Sequence, residues 1–478
     1  MRPTRGLPLR QDMTTADPIS PALRRLAMIA ILLSTLTGTI DASIVNVALP
    51  TLATDLQATP SQTVWVTTAF LLAVACAVPA TSALGDQVGR RRLFLVGVPI
   101  FTLSSLGCAL APTLGTLITL RVLQGVGSAV VLAAAIPLIR SLFPSHQLGQ
   151  ALGFNAMTVA LGTSAGPALG GLILAVLPWP WLFLINVPIG AVSFALAWAA
   201  LPPSRPEAGH YDWQGALFAA GSIGCLLLGV RELANIDTLR RAAALLLMCG
   251  LFAALFIRRE HRARRPAIPL GLFTPRFSLT VGAAWASFVA QGIAFVALPF
   301  LLQGSLGETP LQSALLITPW PLIIVFAAPV SGRFADRISP ARLALVGLVV
   351  ITGGLAMLAL LGSAPSTWLV LVATGICGLG FGIFQSPNNR DMMTAAPAQY
   401  AASAAAVLNT NRSVGQSAGS AVVSIALVAT GAAAGTMSRQ AHAASEVLWA
   451  AVAAAAGAAA LCAIKLRSTS VSDCSLRS

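Results

Sequence analysis

Charge is the scarcest thing in this sequence. Of 478 residues only 9% are Asp, Glu, Lys or Arg, where an ordinary soluble domain carries about a quarter. Acids are rarer than bases, 15 against 29, and His and Tyr are few, at 4 and 2. A surface so poor in charge cannot face water, which excludes a string of soluble domains despite the length. The seven Cys form no framework. Cys76, Cys108, Cys225, Cys249, Cys377 and Cys462 stand singly in apolar runs and Cys474 in the tail, without the paired spacing of metal sites or disulfides. They read as small buried hydrophobes.

What fills the chain instead is apolar: 56% of residues, with a mean hydropathy of +0.82. An apolar helix needs about 20 residues to cross a bilayer. That ruler marks fourteen spans, at 26–49, 62–84, 93–111, 115–139, 149–177, 181–201, 214–231, 241–257, 277–302, 311–332, 341–362, 366–389, 402–430 and 445–464. The expectation is an all-α membrane protein with a tail over 1–25, spans over 26–201, a linker with two extra spans over 202–275, further spans over 276–465 and a second tail over 466–478. The first tail, with Arg2, Arg5 and Arg10, reads as a cytoplasmic segment rather than a cleavable export signal, because the apolar run behind it is too long for a signal core.

The net charge of +14 and pI near 11.1 would suggest nucleic acid in a soluble protein. Here they set topology. With the N-terminus in the cytoplasm, only Arg231, Arg240, Arg241 and Arg439 fall outside and Arg121 and Arg412 within spans, while every other basic residue, Lys465 included, joins a cytoplasmic collar. The positive-inside rule therefore predicts both termini cytoplasmic and no nucleic-acid partner. Three of the four exceptions flank the loop 232–240, so the pair of spans at 214–257 has the weakest charge support.

The spans contain a repeat. Ile44–Pro50 (IVNVALP) matches Ile293–Pro299 (IAFVALP), Asp86 matches Asp336, Gly125 and Gly127 match Gly378 and Gly380, and Gly162–Gly166 matches Gly415–Gly419, at offsets of 249, 250, 253 and 253. One six-span unit thus occurs twice in the same orientation, and the spans at 214–257 are inserted between the copies. Same-direction halves put the pseudo-two-fold along the membrane normal, with a substrate path between them. The buried charges do not repeat: Asp41 aligns with Ala290, Arg121 with Thr374 and Arg412 with Val159. That marks them for function rather than scaffold.

An intramembrane acid is costly, so Asp41, two thirds along span 1, is a functional candidate by default. It can serve as a proton carrier or simply pair with a neighbouring donor. His146, His210, His261 and His442 all fall in tails or loops and cannot share the task. Arg121, at comparable depth in span 4, stays charged and either pairs with an acid or attracts an anion; Gln124 shares its face. Arg412 stands in the polar run Asn409, Thr410, Asn411, Arg412, where it either serves the substrate path or snorkels to the cytoplasmic face. Asn46, Trp65, Gln124, Gln291, Asn409, Asn411 and Arg412 are candidate cavity groups. Gly162, Gly166, Pro167 and Gly170 give span 5 a small-sided face, expected to be a pliable seam on which the halves rock. In the loop after span 2, Asp86, Gly89 and Arg90, with Asp336 and Arg337 in the second copy, are placed to latch one conformation by ion pairing.

Asp41–Pro50, Leu120–Gly127, Gly162–Gly171 and Trp181–Gly190 together resemble the signature set of the major facilitator superfamily, specifically its fourteen-span drug:proton antiporters, over about residues 26–465. Ser82 and Gln87 depart from that family's usual loop residues, as does Ser339 in the second copy. The resemblance implies the major facilitator fold, two six-helix bundles plus two inserted helices, and a proton-coupled exporter of lipophilic or cationic compounds with Asp41 and Arg121 in the coupling. It implies a monomer in a bacterial inner membrane, with protons as the coupling ion, no cofactor and no enzyme activity. A proton-coupled importer or exporter of one specific metabolite is the alternative on the same fold.

Overall fold

The computed structural model describes residues 20–204, 213–232, 238–261, 270–335, 337–362, 366–397, 400–430 and 437–475. Among these residues there is no strand. The first bundle comprises α1 (Pro21–Asp55), α2 (Pro60–Val88), α3 (Arg90–Ala109), α4 (Leu114–Leu142), α5 (Ser145–Val176), α6 (Trp181–Leu184) and α7 (Asn186–Ala200). The inserted pair is α8 (Trp213–Glu232) and α9 (Leu239–Glu260). The second bundle comprises α10 (Pro275–Ser305), α11 (Pro310–Ile317), α12 (Pro319–Phe334), α13 (Pro340–Leu360), α14 (Thr367–Ala395), α15 (Ala401–Ala429) and α16 (Met437–Ser475).

Helix starts follow from local chemistry. Ser20, Thr113, Thr274 and Thr309 each accept a backbone N–H from the first turn of the helix they cap, and Pro21, Pro275 and Pro310 occupy first positions where no N–H is needed. The sixth span is broken at Ile185 and the tenth at Thr318, just before Pro319, but both junction residues keep right-handed helical backbone. Trp181–Ala200 and Pro310–Phe334 therefore each cross as one kinked span. Twelve described segments are long and apolar enough to cross a membrane. The other two of the fourteen expected are α8, whose apolar stretch is Leu217–Leu226, and α15, which carries the polar run around Arg412.

The repeat is visible in the packing. In the first bundle α1 lies on α5 and α7, α2 on α4, and α3 on α4 and α7; in the second α10 lies on α15 and α16, α12 on α14, and α13 on α14 and α16. The repeated glycines do the same job in both. A Cβ on Gly125 would meet the Phe70 carbonyl at 2.6 Å and one on Gly127 the Phe101 nitrogen at 2.5 Å; in the second copy, one on Gly380 would meet the Ile351 nitrogen at 2.6 Å, and Gly378 is pressed on the Trp320 backbone. Small residues here let backbones touch.

The halves meet where α2 lies against α15, α5 against α11 and α12, and α1 against α10. The described hydrogen bonds across this seam are Gln303 to the Val47 carbonyl (3.0 Å), Ser424 to the Ser61 carbonyl (3.1 Å), Thr68 with Ser420 (2.8 Å) and Ser164 to the Pro321 carbonyl (2.8 Å). The first three lie toward the helix ends opposite those that carry Arg24, Arg91, Arg140, Arg333 and Arg390, and the fourth lies near the middle of α5 and of the span Pro310–Phe334. The glycine face of α5 sits differently from expectation. Gly162, Gly166 and Gly170 abut Thr39, Ser43 and Ile44 of α1, inside the first bundle, with Pro167 buried beside them; Gly171 is the one that meets Leu311 and Ala314 of the other half. Most of that face cements one bundle instead of hinging two.

The inserted pair is marginal to both bundles. α9 packs on α8 and buries only Ala242 and Glu260, while α8 lies against α2 and α15 at once.

Gly127→Ala should lower the thermal stability of the detergent-solubilised protein by about 1–3 kcal/mol through overpacking. Gly153→Ala, where a Cβ meets nothing within 4 Å, should be neutral or stabilising by up to about 1 kcal/mol. Equal melting shifts would show that the close α3–α4 approach carries no strain for a methyl group.

Candidate functional site

Asp41 faces the interior of the first bundle. Helical spacing puts Ser34, Thr37 and Asp41 on one side of α1 and Ala42, Ser43 and Asn46 on another. The Asp41 carboxylate accepts from the Arg121 guanidinium, from Gln124 Nε2 at 2.9 Å and from Asn186 Nδ2 at 2.9 Å. Arg121 also donates Nε to the Val66 carbonyl (2.9 Å) and Nη1 to Gln124 Oε1 (2.7 Å), and its guanidinium carbon lies 4.2 Å from the centre of the Phe70 ring. Ser105 accepts from Gln124 and Asn186, each at 3.1 Å, and donates to the Phe183 carbonyl at 2.9 Å. Asp41, Arg121 and Gln124 are fully buried. A buried ion pair is tolerable only when hydrogen bonds support both partners, and here groups from α2, α4 and α7 supply them directly, leaving Arg121 Nη2 as the one guanidinium nitrogen without a hydrogen bond. Of the two roles open to Arg121, the structure displays the pairing one. Asn186 and Ser105 were not among the sequence candidates; Asn186 had a signal, as a carboxamide in an otherwise apolar span, whereas Ser105 had none.

One turn along from this cluster lies a hydroxyl-lined cavity of about 240 Å³, bordered by Ser34, Thr37, Thr102 and Ser128 and kept open by Gly38 and Gly190. Each helix contributes in register: Thr37 precedes Asp41, Thr102 precedes Ser105, Ser128 follows Gln124 and Gly190 follows Asn186, all by about one turn. Ser34 and Ser193, in contact at 2.6 Å, close its far side above an apolar cluster that includes Ile31, Phe94 and Leu138.

A second cavity, of about 390 Å³, lies between the halves. Asn46, Thr67, Thr163, Arg412, Gln416 and Ser420 give it polar groups, and Leu71, Phe295 and Val296 apolar ones. Thr67 donates to Asn46 Oδ1 at 3.0 Å, and Gln416 donates to Gln291 Oε1 at 3.0 Å. Of the sequence candidates, Asn46 and Arg412 line this space and Gln291 adjoins it through Gln416. Gln124 belongs to the Asp41 cluster, Trp65 is buried away from the lining, and Asn411 donates instead to the Val281 carbonyl at 3.0 Å. The Asn409 side chain lies outside the described residues. Asp41 does not reach the cavity.

The charge reading of Lys465 needs correction. It is 1% exposed and donates to Asp391 Oδ2 at 2.7 Å, while Arg276 pairs with the other carboxylate oxygen and Thr280 lies within 3.3 Å of the ammonium. The described parts of the two bundles therefore hold two buried acids compensated by cations, Asp41 by Arg121 and Asp391 by Lys465 and Arg276, rather than Asp41 alone. Asp391 escaped notice because it falls just past the apolar stretch 366–389, where a polar residue reads as solvated.

The expected latch is only partly within view. Gly89, with φ of +94°, makes the turn from α2 to α3, a conformation that favours glycine, and Arg91 beside it donates to Ser204 and to the Trp198 carbonyl. Arg90 extends a long 3.5 Å contact to the Ala133 carbonyl, and Arg337 is exposed. The Asp86 side chain and Asp336 lie outside the described residues.

Comparison with known proteins gives a consistent picture. Residues 31–420 match the Major Facilitator Superfamily. The chain is 38% identical over 415 residues to the uncharacterized transporter YebQ of Escherichia coli (strain K12), spanning 86% of this chain and 91% of that one. It is 33% identical over 379 residues to the riboflavin transporter RibZ of Clostridioides difficile (strain 630), spanning 78% and 82%. It is 30% identical over 431 residues to a multidrug resistance protein B homolog of Mycobacterium tuberculosis (strain H37Rv), spanning 88% and 79%. Among solved structures, a bacterial homolog of the human lysosomal transporter Spinster, inward-facing and unoccupied, superposes with a TM-score of 0.67 at 17% identity over 94% of this chain and 98% of that one, a likeness of fold.

Lys465→Met should destabilise the protein by about 3–5 kcal/mol, since it strips a buried carboxylate of its buried cation and leaves only the half-exposed Arg276. The double variant Asp391→Leu/Lys465→Met should recover most of that loss in thermal unfolding. A silent single variant would mean that Arg276 alone compensates Asp391.

Proposed function

Because the chain belongs to the Major Facilitator Superfamily, we propose that this multi-pass membrane transporter is a proton-coupled exporter of drug-like small molecules, working by alternating access in a bacterial inner membrane with both termini cytoplasmic. The observation that carries the reading is the position of Asp41, a buried acid with a single cationic partner among the described residues, across α1 from the cavity between the halves. Coupling needs such an acid to exchange a proton and the exchange to be felt at the cavity.

Both requirements have a physical basis in the cluster. When Asp41 takes a proton, Arg121 loses its counter-charge. Arg121 also holds the Val66 carbonyl, and the next residue, Thr67, donates to Asn46 in the cavity wall. A change at the ion pair thus bears on the cavity through the backbone of α2. The Ser34, Thr37, Thr102 and Ser128 hydroxyls beside Asp41 offer polar groups by which a proton can approach without crossing the substrate's space. One charge moving inward through 100 mV supplies about 2.3 kcal/mol. The seam closed at the end away from the basic residues agrees with a state open toward the cytoplasm.

Relatives named for multidrug resistance support export of varied compounds. The similarity to a protein named as a riboflavin transporter supports the second reading, a carrier for one metabolite. Drug susceptibility of cells with and without the protein separates the two.

In inside-out vesicles, Asp41→Asn should abolish substrate-induced proton release while the protein still inserts, and Asp391→Asn should leave it intact. Undiminished coupling in Asp41→Asn would move the proton site elsewhere. A protonophore should raise substrate accumulation in cells expressing the wild-type protein; a fall would indicate import.

A further inference from the structure

Three charged groups were singled out within the spans, and two of them, Asp41 and Arg121, neutralise each other. Arg412 is different. It stands three turns into α15 and borders the cavity between the halves, level with Ser43 and Gly292 in the middle of α1 and α10. No described residue forms an ion pair or hydrogen bond with its side chain. The cavity lining contains no acid, and two of the nearby amide oxygens are already engaged: Asn46 Oδ1 takes a hydrogen bond from Thr67 and Gln291 Oε1 one from Gln416. Arginine keeps its charge at any physiological pH, and an isolated cation in a site of low polarity is costly unless an anion arrives. The scaffold does not require it, because the corresponding position of the first repeat is Val159. Snorkelling to the basic end would take the side chain out of the cavity it lines.

We propose that Arg412 is the docking point for the anionic head of the transported molecule, an amphipathic organic carboxylate whose apolar body rests on Leu71, Phe295 and Val296. The inference deepens the transporter reading and rests on it for the word transported. A guanidinium presents paired N–H donors that match the two oxygens of a carboxylate, and the apolar side chains beside Arg412 in the same lining offer a surface for the body that carries it. This reverses the cationic preference expected from family resemblance.

The test is an equilibrium titration by calorimetry on the purified full-length protein, without an ion gradient, using three probes of one shape: naphthylacetate, its methyl ester and naphthylethylamine. Wild-type protein should bind the carboxylate about tenfold or more tightly than the ester or the amine, the value of one charge-assisted hydrogen bond. Arg412→Gln should remove that preference while keeping the ester affinity, which reports that the variant is folded, and Arg412→Lys should keep a reduced preference. Absent carboxylate binding, equal carboxylate and ester affinities in the wild type, tighter amine binding, or a preference that survives Arg412→Gln would each overturn the assignment. Because no gradient is present, a failure of proton coupling in vesicles would count against the export reading and leave this result standing.

Discussion

A carboxylate and a guanidinium sealed together in the middle of a bundle set the terms for the residues around them. Neither charge could be buried alone in surroundings of this polarity, and together they persist because neighbouring polar groups hydrogen-bond both of them. That demand explains why Gln124 and Asn186 sit in otherwise apolar spans, why Ser105 turns inward, and why the Val66 carbonyl is spared for Arg121. It also explains the close approach of α3 and α4, for which Gly127 leaves no room for a Cβ. The first bundle is organised around its ion pair; the second, with Thr374 where the first has Arg121, is organised around apolar contacts such as Phe295 on Trp320 and Phe288 on Phe381.

Two kinds of buried charge follow from the geometry. Asp41 with Arg121, and Asp391 with Lys465, are internally compensated and so have no need of a ligand. Arg412 is uncompensated and faces open space. The division separates the proposed proton site from the proposed substrate site by the width of α1. Communication between them then runs through shared helices rather than through competition for one carboxylate, and the Val66–Thr67 pair on α2, touching Arg121 on one side and Asn46 on the other, is where the two sites come nearest in bonded terms.

How much of this was legible beforehand depended on whether the signal was local. The spans, the duplicated unit and the importance of Asp41 and Arg121 follow from composition and from what does not repeat, and the packing agrees with the first two. Helical periodicity also separates the Asp41 face of α1 from the Asn46 face. Which face meets the other half is a tertiary fact, and for that reason Gln124, Trp65 and Asn411 were assigned to a cavity they do not line. The glycine face of α5 was rightly read as a close approach, but composition does not name the neighbour, which is α1 for Gly162, Gly166 and Gly170. Lys465 and Asp391 are 74 residues apart and each sits at a span end, where charge is ordinary; only the fold brings them together out of water.

The inserted helices bear on how the two flanks of the molecule differ. The two halves have two flanking seams open to lipid, one between α2 and α15 and one between α5 and the α11–α12 span. α8 rests on both sides of the first, and α9 backs it, whereas neither packs on α5, α11 or α12 among the described residues. One flank is caulked and the other bare. On the bare flank any contact with lipid is made by α5, α11 and α12 themselves, so the extra pair gives the molecule a handedness that its near-symmetric halves do not themselves possess.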